Sequence, residues 1–235
     1  MSLCHIRDIF LDILFPAQCV VCGRSLTTGE KYLCLHCIAE FPRVNLRSYT
    51  ENELHRRLMN KGIEIERAAS YMIYRRESRY ANLIRTAKYG HRQLLCRDLG
   101  FELAKALHQH GFFDGIDLIV PVPMSPIKKL CRGYNQSVEI AKGISDVTGT
   151  PIATDCLKAR YHATQTRKNT SERLENAGNT YFMPHPEDWQ GVGHILLVDD
   201  VITSGATMLA CAHHLHEGIP ELKVSVASYA LTARQ

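Results

Sequence analysis

The sequence has no apolar run approaching the roughly 18 residues that a membrane-spanning helix needs, so no segment is expected to cross a bilayer. It has no internal repeat and no low-complexity tract. It also has no unbroken apolar stretch of the kind an export signal carries. In MSLCHIRDIFLDILFPAQCV (1–20), Asp8 and Asp12 interrupt the run, and an amphipathic helix with Ile6, Ile9, Phe10, Ile13 and Leu14 on one side accounts for the pattern. The expected location is therefore cytoplasmic. Twelve histidines are present, yet none shows H-E-x-x-H spacing, and CAHHLH (211–216) reads as a helix face rather than a ligand set. A net charge of +4 is too small to define a partner by itself.

What is present is an ordinary globular composition, 45% apolar and 22% charged, over 235 residues, enough for one sizeable domain with an appendage. The nine cysteines are odd in number, and four of them fall into two Cys-x-x-Cys pairs, which argues for metal rather than disulfides. Cys19, Cys22, Cys34 and Cys37 read C-x2-C, eleven residues, C-x2-C. Zinc favours four thiolates in a tetrahedron, and each two-residue gap lets one turn present two sulfurs to the same ion. Such a site is closed, hence structural. His36 is a further donor inside the second pair, while Cys4, Cys96, Cys131, Cys156 and Cys211 have no metal spacing.

Weak periodicity and many polar residues at 42–66 suggest a boundary. The expected organisation is an N-terminal helix with a zinc module (1–45), a linker region (46–66) and a larger body (67–235). In the body, RAASYMIY (67–74), DLIVPVP (117–123), HILLVDD (194–200) and LKVSVASYAL (222–231) read as strands, nearly all apolar, alternating with helical patterns. That alternation predicts an α/β fold with a parallel sheet covered by helices on both faces. Ligands in such sheets gather at the carboxyl ends of strands.

At one of these ends stands ILLVDDVITSGATM (195–208). Side chains on a strand alternate between faces, so continuing the strand through Asp199 and Asp200 would drive a carboxylate into a packed layer. The strand is therefore expected to end there, leaving both acids at the rim. Thr203, Ser204, Gly205, Ala206 and Thr207 then lead into a helix, where small residues and free N–H groups suit an anion. Acids beside an anion site call for a ligand that carries hydroxyls or a metal ion as well as phosphate, as a sugar phosphate does. PVPMSPIKKLCRGYNQS (121–137) places Lys128, Lys129 and Arg132 at a second strand end, where they would suit a pyrophosphate. The polar stretch 157–182 is long enough to be a flap over a charged ligand.

From 75 to 97 there are seven Lys or Arg against Glu77 alone, a local charge of +6 that leaves −2 for the rest of the chain. Arg75, Arg76, Arg79, Arg85, Lys88, Arg92 and Arg97, interleaved with Tyr74, Tyr80 and Tyr89, supply charges for phosphates and rings for stacking, the ingredients of a single-stranded DNA surface. A solvated helix face is the alternative.

Residues 195–207 resemble the phosphoribosyl pyrophosphate (PRPP) signature of type I phosphoribosyltransferases. That resemblance implies that Asp199 and Asp200 hold ribose hydroxyls, that Thr203 to Thr207 wrap the 5′-phosphate, and that Mg2+ accompanies PRPP. Together with RTAKYGHR (85–92), RGYNQ (132–136), and Gln165, Arg173 and Asn176 in the flap, the pattern resembles the ComF family, bacterial proteins linked to natural competence and the use of external DNA. The resemblance implies a phosphoribosyltransferase-like body behind a cysteine-rich zinc module, and marks Arg132, Gln136, Gln165, Arg173 and Asn176 as functional positions. It brings single-stranded DNA and the proteins of the uptake machinery into view as partners. Three roles fit the residues: a DNA-handling protein, an active phosphoribosyltransferase of nucleotide metabolism, or a PRPP sensor without turnover. No segment announces an acceptor base, and the fold does not choose among them.

Overall fold

A computed structural model describes residues 17–46, 48–60, 62, 64–90, 92–160 and 180–233. Its centre is a four-stranded, wholly parallel sheet in the order β1-β6-β5-β2, formed by β1 (Ala68–Tyr74), β2 (Leu118–Pro121), β5 (His194–Ile202) and β6 (Lys223–Thr232). Two short strands, β3 (Lys158–Ala159) and β4 (Tyr181–Phe182), form a separate antiparallel ribbon. β5 is apolar over Ile195–Val198 because it is buried on both faces: Leu196 and Val198 enter one core, Ile195 and Leu197 the other.

The first face carries α3 (Ala81–Tyr89), α4 (Gln93–His108) and α6 (Gln136–Thr148), whose Leu83, Leu95, Leu103, Ile140 and Ile144 fill that core. α4 and α6 touch backbone to backbone. A methyl group at Gly100 would land on the Ile140 carbonyl, and one at Gly143 on the Arg97 carbonyl. The second face carries α7 (Ala206–Gly218) and α2 (Glu53–Met59), with Leu54, Leu58, Met208 and Leu215 buried. α2 lies within the polar stretch read from the sequence as a linker region, and Asn52 caps it by accepting from His55 N–H at 3.0 Å. The cysteine segment contributes α1 (Leu35–Ala39) and shares the first core through Cys19, Cys34, Cys37 and Phe41.

The sequence expectation of an α/β fold with a parallel sheet between helices holds. One local expectation does not: β5 continues past the acid pair to Ile202. β2 ends at Pro121, opposite Val198, so the acids do emerge beyond the sheet on that side, while on the other side Asp199 still pairs with Ser228 and Ile202 with Leu231. A hydroxyl from α6 and an ammonium from α3 make the continuation tolerable. Residues 6–14 of the amphipathic segment, Cys4, and Gln165, Arg173 and Asn176 lie outside the described residues. No helix of the described residues is long and apolar enough to cross a membrane.

Candidate phosphoribosyl site and basic cleft

At the carboxyl rim the acid pair is held from two sides. The Asp199 carboxylate accepts from Ser137 Oγ and from Asp200 N–H, each at 2.8 Å. Ser137 starts α6, where Asn135 caps the helix by accepting from Ser137 N–H and anchors itself on the Val122 carbonyl at 2.9 Å. Asp200 Oδ2 lies 3.1 Å from Lys88 Nζ of α3. Burial, and then the neighbouring Asp200 charge, push the Asp199 carboxyl up to about 7, against the lowering pull of the Ser137 and Asp200 hydrogen bonds and of Lys88. A carboxyl so placed gains from a ligand hydroxyl, which solvates the charged form.

Asp199 and residues 201–208 line a small hollow. Gly205 sits at φ +83°, a left-handed conformation open to glycine, and α7 begins at the next residue. A side chain at this glycine would also meet Leu58 Cδ2 at 2.7 Å, so α2 forms the floor of the loop. The same helix fastens the loop. Arg57, 8% exposed, donates through Nη1 to the Thr203 carbonyl at 2.6 Å and the Thr232 carbonyl at 3.0 Å, while Nη2 reaches Glu53 at 3.0 Å. Arg57 escaped sequence reasoning because its partners are 146 and 175 residues away. Ser137 was within reach, being the residue after RGYNQ at a helix start.

The second strand end leads into a short basic helix. α5 (Pro126–Arg132) carries Lys128 and Lys129 exposed on its surface and stops at Gly133, φ +78°. Arg132 donates to Gln136 Oε1 at 3.0 Å and stacks over Tyr89, 5.5 Å from the ring centre. Gln136 itself is fully buried and holds the Arg132 guanidinium in place. The buried Tyr134 hydroxyl bonds the Ala87 carbonyl, tying this loop to α3.

The basic stripe divides. Arg75, Arg76, Arg85 and Lys88, with Tyr74 and Tyr89, line a cavity of about 900 Å³ whose other walls are Glu77, Ile84, Val201, Thr203 and the end of β6. Arg79 instead pairs with Glu40 behind α1, and Arg97 forms a two-pronged ion pair with Asp146 at 2.6 and 2.7 Å. Arg92 is exposed at the start of α4, outside the cavity lining.

Among the described residues, one His, Cys, Asp or Glu group has metal-binding geometry, and it is the four predicted cysteines: one ligand atom from each lies within 4.8 Å of the others. Cys19 and Cys22 sit within a tight turn closed at Gly23 (φ +76°), whose N–H donates to the Cys19 carbonyl, and Cys34 and Cys37 open α1. Cys22 Sγ and Cys34 Sγ are 3.7 Å apart. A regular tetrahedron with Zn–S near 2.3 Å has an edge of about 3.8 Å, so the donor set fits that ion. His36 is not in the group and faces Glu40, 3.6 Å away.

The chain is 24% identical over 222 residues to Competence protein F of Haemophilus influenzae (strain KW20 / Rd), covering 89% of this chain and 96% of that protein. This likeness supports a ComF-family assignment. No protein-family model matches the chain. A match over 89% of this chain is too long to be confined to residues 67–235.

Proposed function

We propose that this ComF-like protein acts in DNA uptake or the use of external DNA, handling single-stranded DNA in the cytoplasm with a phosphoribosyltransferase-like body (67–235) that binds PRPP. The observation that carries the reading is the convergence at one rim. The acid pair, the Gly205 loop and the cleft lined by Arg75, Arg76, Arg85 and Lys88 meet where a parallel sheet collects ligands. Asp199 and Asp200 suit ribose hydroxyls, and residues 203–207 suit the 5′-phosphate at the start of α7. Lys128, Lys129 and Arg132 suit the diphosphate, for which Mg2+ supplies charge neutralisation when bound. The cleft offers guanidinium groups for DNA phosphates and Tyr74 and Tyr89 for bases. Zinc in the cysteine cluster has four protein ligands and no open position, so its contribution is to stability.

Calorimetry tests the reading. PRPP with Mg2+ is expected to bind the wild type and to lose most of its affinity in Asp199→Asn. Single-stranded DNA is expected to bind with an affinity that falls steeply between low and moderate salt. Absence of heat with PRPP removes the ligand assignment, and salt-insensitive or absent DNA binding removes the nucleic-acid half.

A further inference from the structure

We infer that a phosphoribosyl ligand and single-stranded DNA occupy overlapping space at the carboxyl rim, so that each displaces the other. The inference rests on the reading above and adds a relation between its two ligands. Lys88 belongs to both places: its ammonium lies 3.1 Å from Asp200 and it lines the basic cavity with Arg75, Arg76 and Arg85. Val201 and Thr203 likewise line both the loop hollow and that cavity. The hollow and the cleft therefore share walls.

The charge supply is limited as well. Of the seven basic residues between 75 and 97, Arg79 and Arg97 are committed to Glu40 and Asp146, and Glu77 stands among the cavity's own lining. Two polyanions within a few ångströms of one lysine repel each other well inside the screening distance of roughly 8–10 Å at moderate salt. Lys88 can turn to Asp200 or to a DNA phosphate, but its single charge cannot neutralise a phosphate in each ligand. PRPP level would then set how firmly the protein holds DNA.

The test is displacement of a short fluorescein-labelled oligothymidylate, followed by anisotropy at constant Mg2+ and constant ionic strength, as PRPP is added. The apparent DNA Kd is expected to rise in proportion to PRPP without reaching a plateau, by about tenfold when PRPP is at ten times its own Kd. Arg75→Gln and Arg76→Gln, which follow β1 and are separated from β5 by β6, are expected to weaken DNA severalfold and leave the PRPP Kd unchanged. Lys88→Gln is expected to shift both. If both ligands bind singly and the DNA Kd is indifferent to PRPP, or levels off after a small rise, the overlap is refuted while the proposed function stands. If either ligand fails to bind alone, the functional reading and the overlap fall together.

Discussion

Arg57 offers the most direct measurement of what supports the loop. Replacing it with Met keeps the length of the buried stem and removes the guanidinium that holds the Thr203 and Thr232 carbonyls. An acceptor left unpaired costs about 1–3 kcal/mol when buried and less where water reaches it, as at the exposed Thr203 and the half-buried Thr232. Part of this is offset, because Arg57 Nε is buried and finds no hydrogen-bond partner among the described residues, and the variant no longer keeps it from water. A net loss of about 1–3 kcal/mol follows, which for a chain of this size lowers Tm by roughly 2–12 °C. Urea denaturation with zinc present gives the first number and calorimetry with PRPP the second, where a loosened loop is expected to weaken binding about tenfold, a cost of roughly 1.4 kcal/mol. Arg57→Lys should fall between, since one ammonium cannot span both carbonyls as the guanidinium fork does. A stability loss under about 0.5 kcal/mol with unchanged PRPP affinity would refute the clamp, because that is the level expected of an unremarkable surface change.

Other perturbations reach the remaining features. Gly100→Ala or Gly143→Ala forces α4 and α6 apart at their backbone contact and is expected to cost about 3 kcal/mol or more, read as a lower urea midpoint. Metal analysis of protein purified without chelators should give one zinc per chain, and Cys37→Ser should lose it together with the cooperative thermal transition. The raised Asp199 carboxyl makes the free protein bind a proton more tightly than the unfolded chain does. Stability should therefore fall as pH rises from about 4 through about 7, then level off, and Asp199→Asn should flatten this slope. PRPP affinity should move oppositely, rising through pH 7 as the carboxylate ionises; a falling profile in calorimetry would contradict its role as acceptor for ribose hydroxyls.

The strands, the long helices and the cysteine cluster were legible because each is written in local spacing: continuous apolar runs for the buried strands, three- and four-residue recurrence for α4 and α6, and paired two-residue gaps for the thiols. α2 was hidden because a seven-residue helix anchored by Leu54 and Leu58 is too short for periodicity to emerge. β5 runs through the acids despite the cost of burying a carboxylate because Ser137 and Lys88 arrive from helices 62 and 112 positions distant, too far for local spacing to reveal. The basic stripe looked continuous in one dimension; only packing shows that Arg79 and Arg97 answer to acids 39 and 49 residues away.

The position of β6 bears on how the chain assembles. β6 lies between β1 and β5, and the buried Ser70–Ser228 pair within that ladder joins residues 158 apart. During synthesis β1 and β5 both emerge before the strand that must separate them. Until then they present two apolar parallel edges with a gap between, and closing it pays a large loop entropy before any contact is gained. Interrupting translation just short of residue 223 should leave a chain whose cysteine cluster can fill while its sheet stays open and prone to self-association.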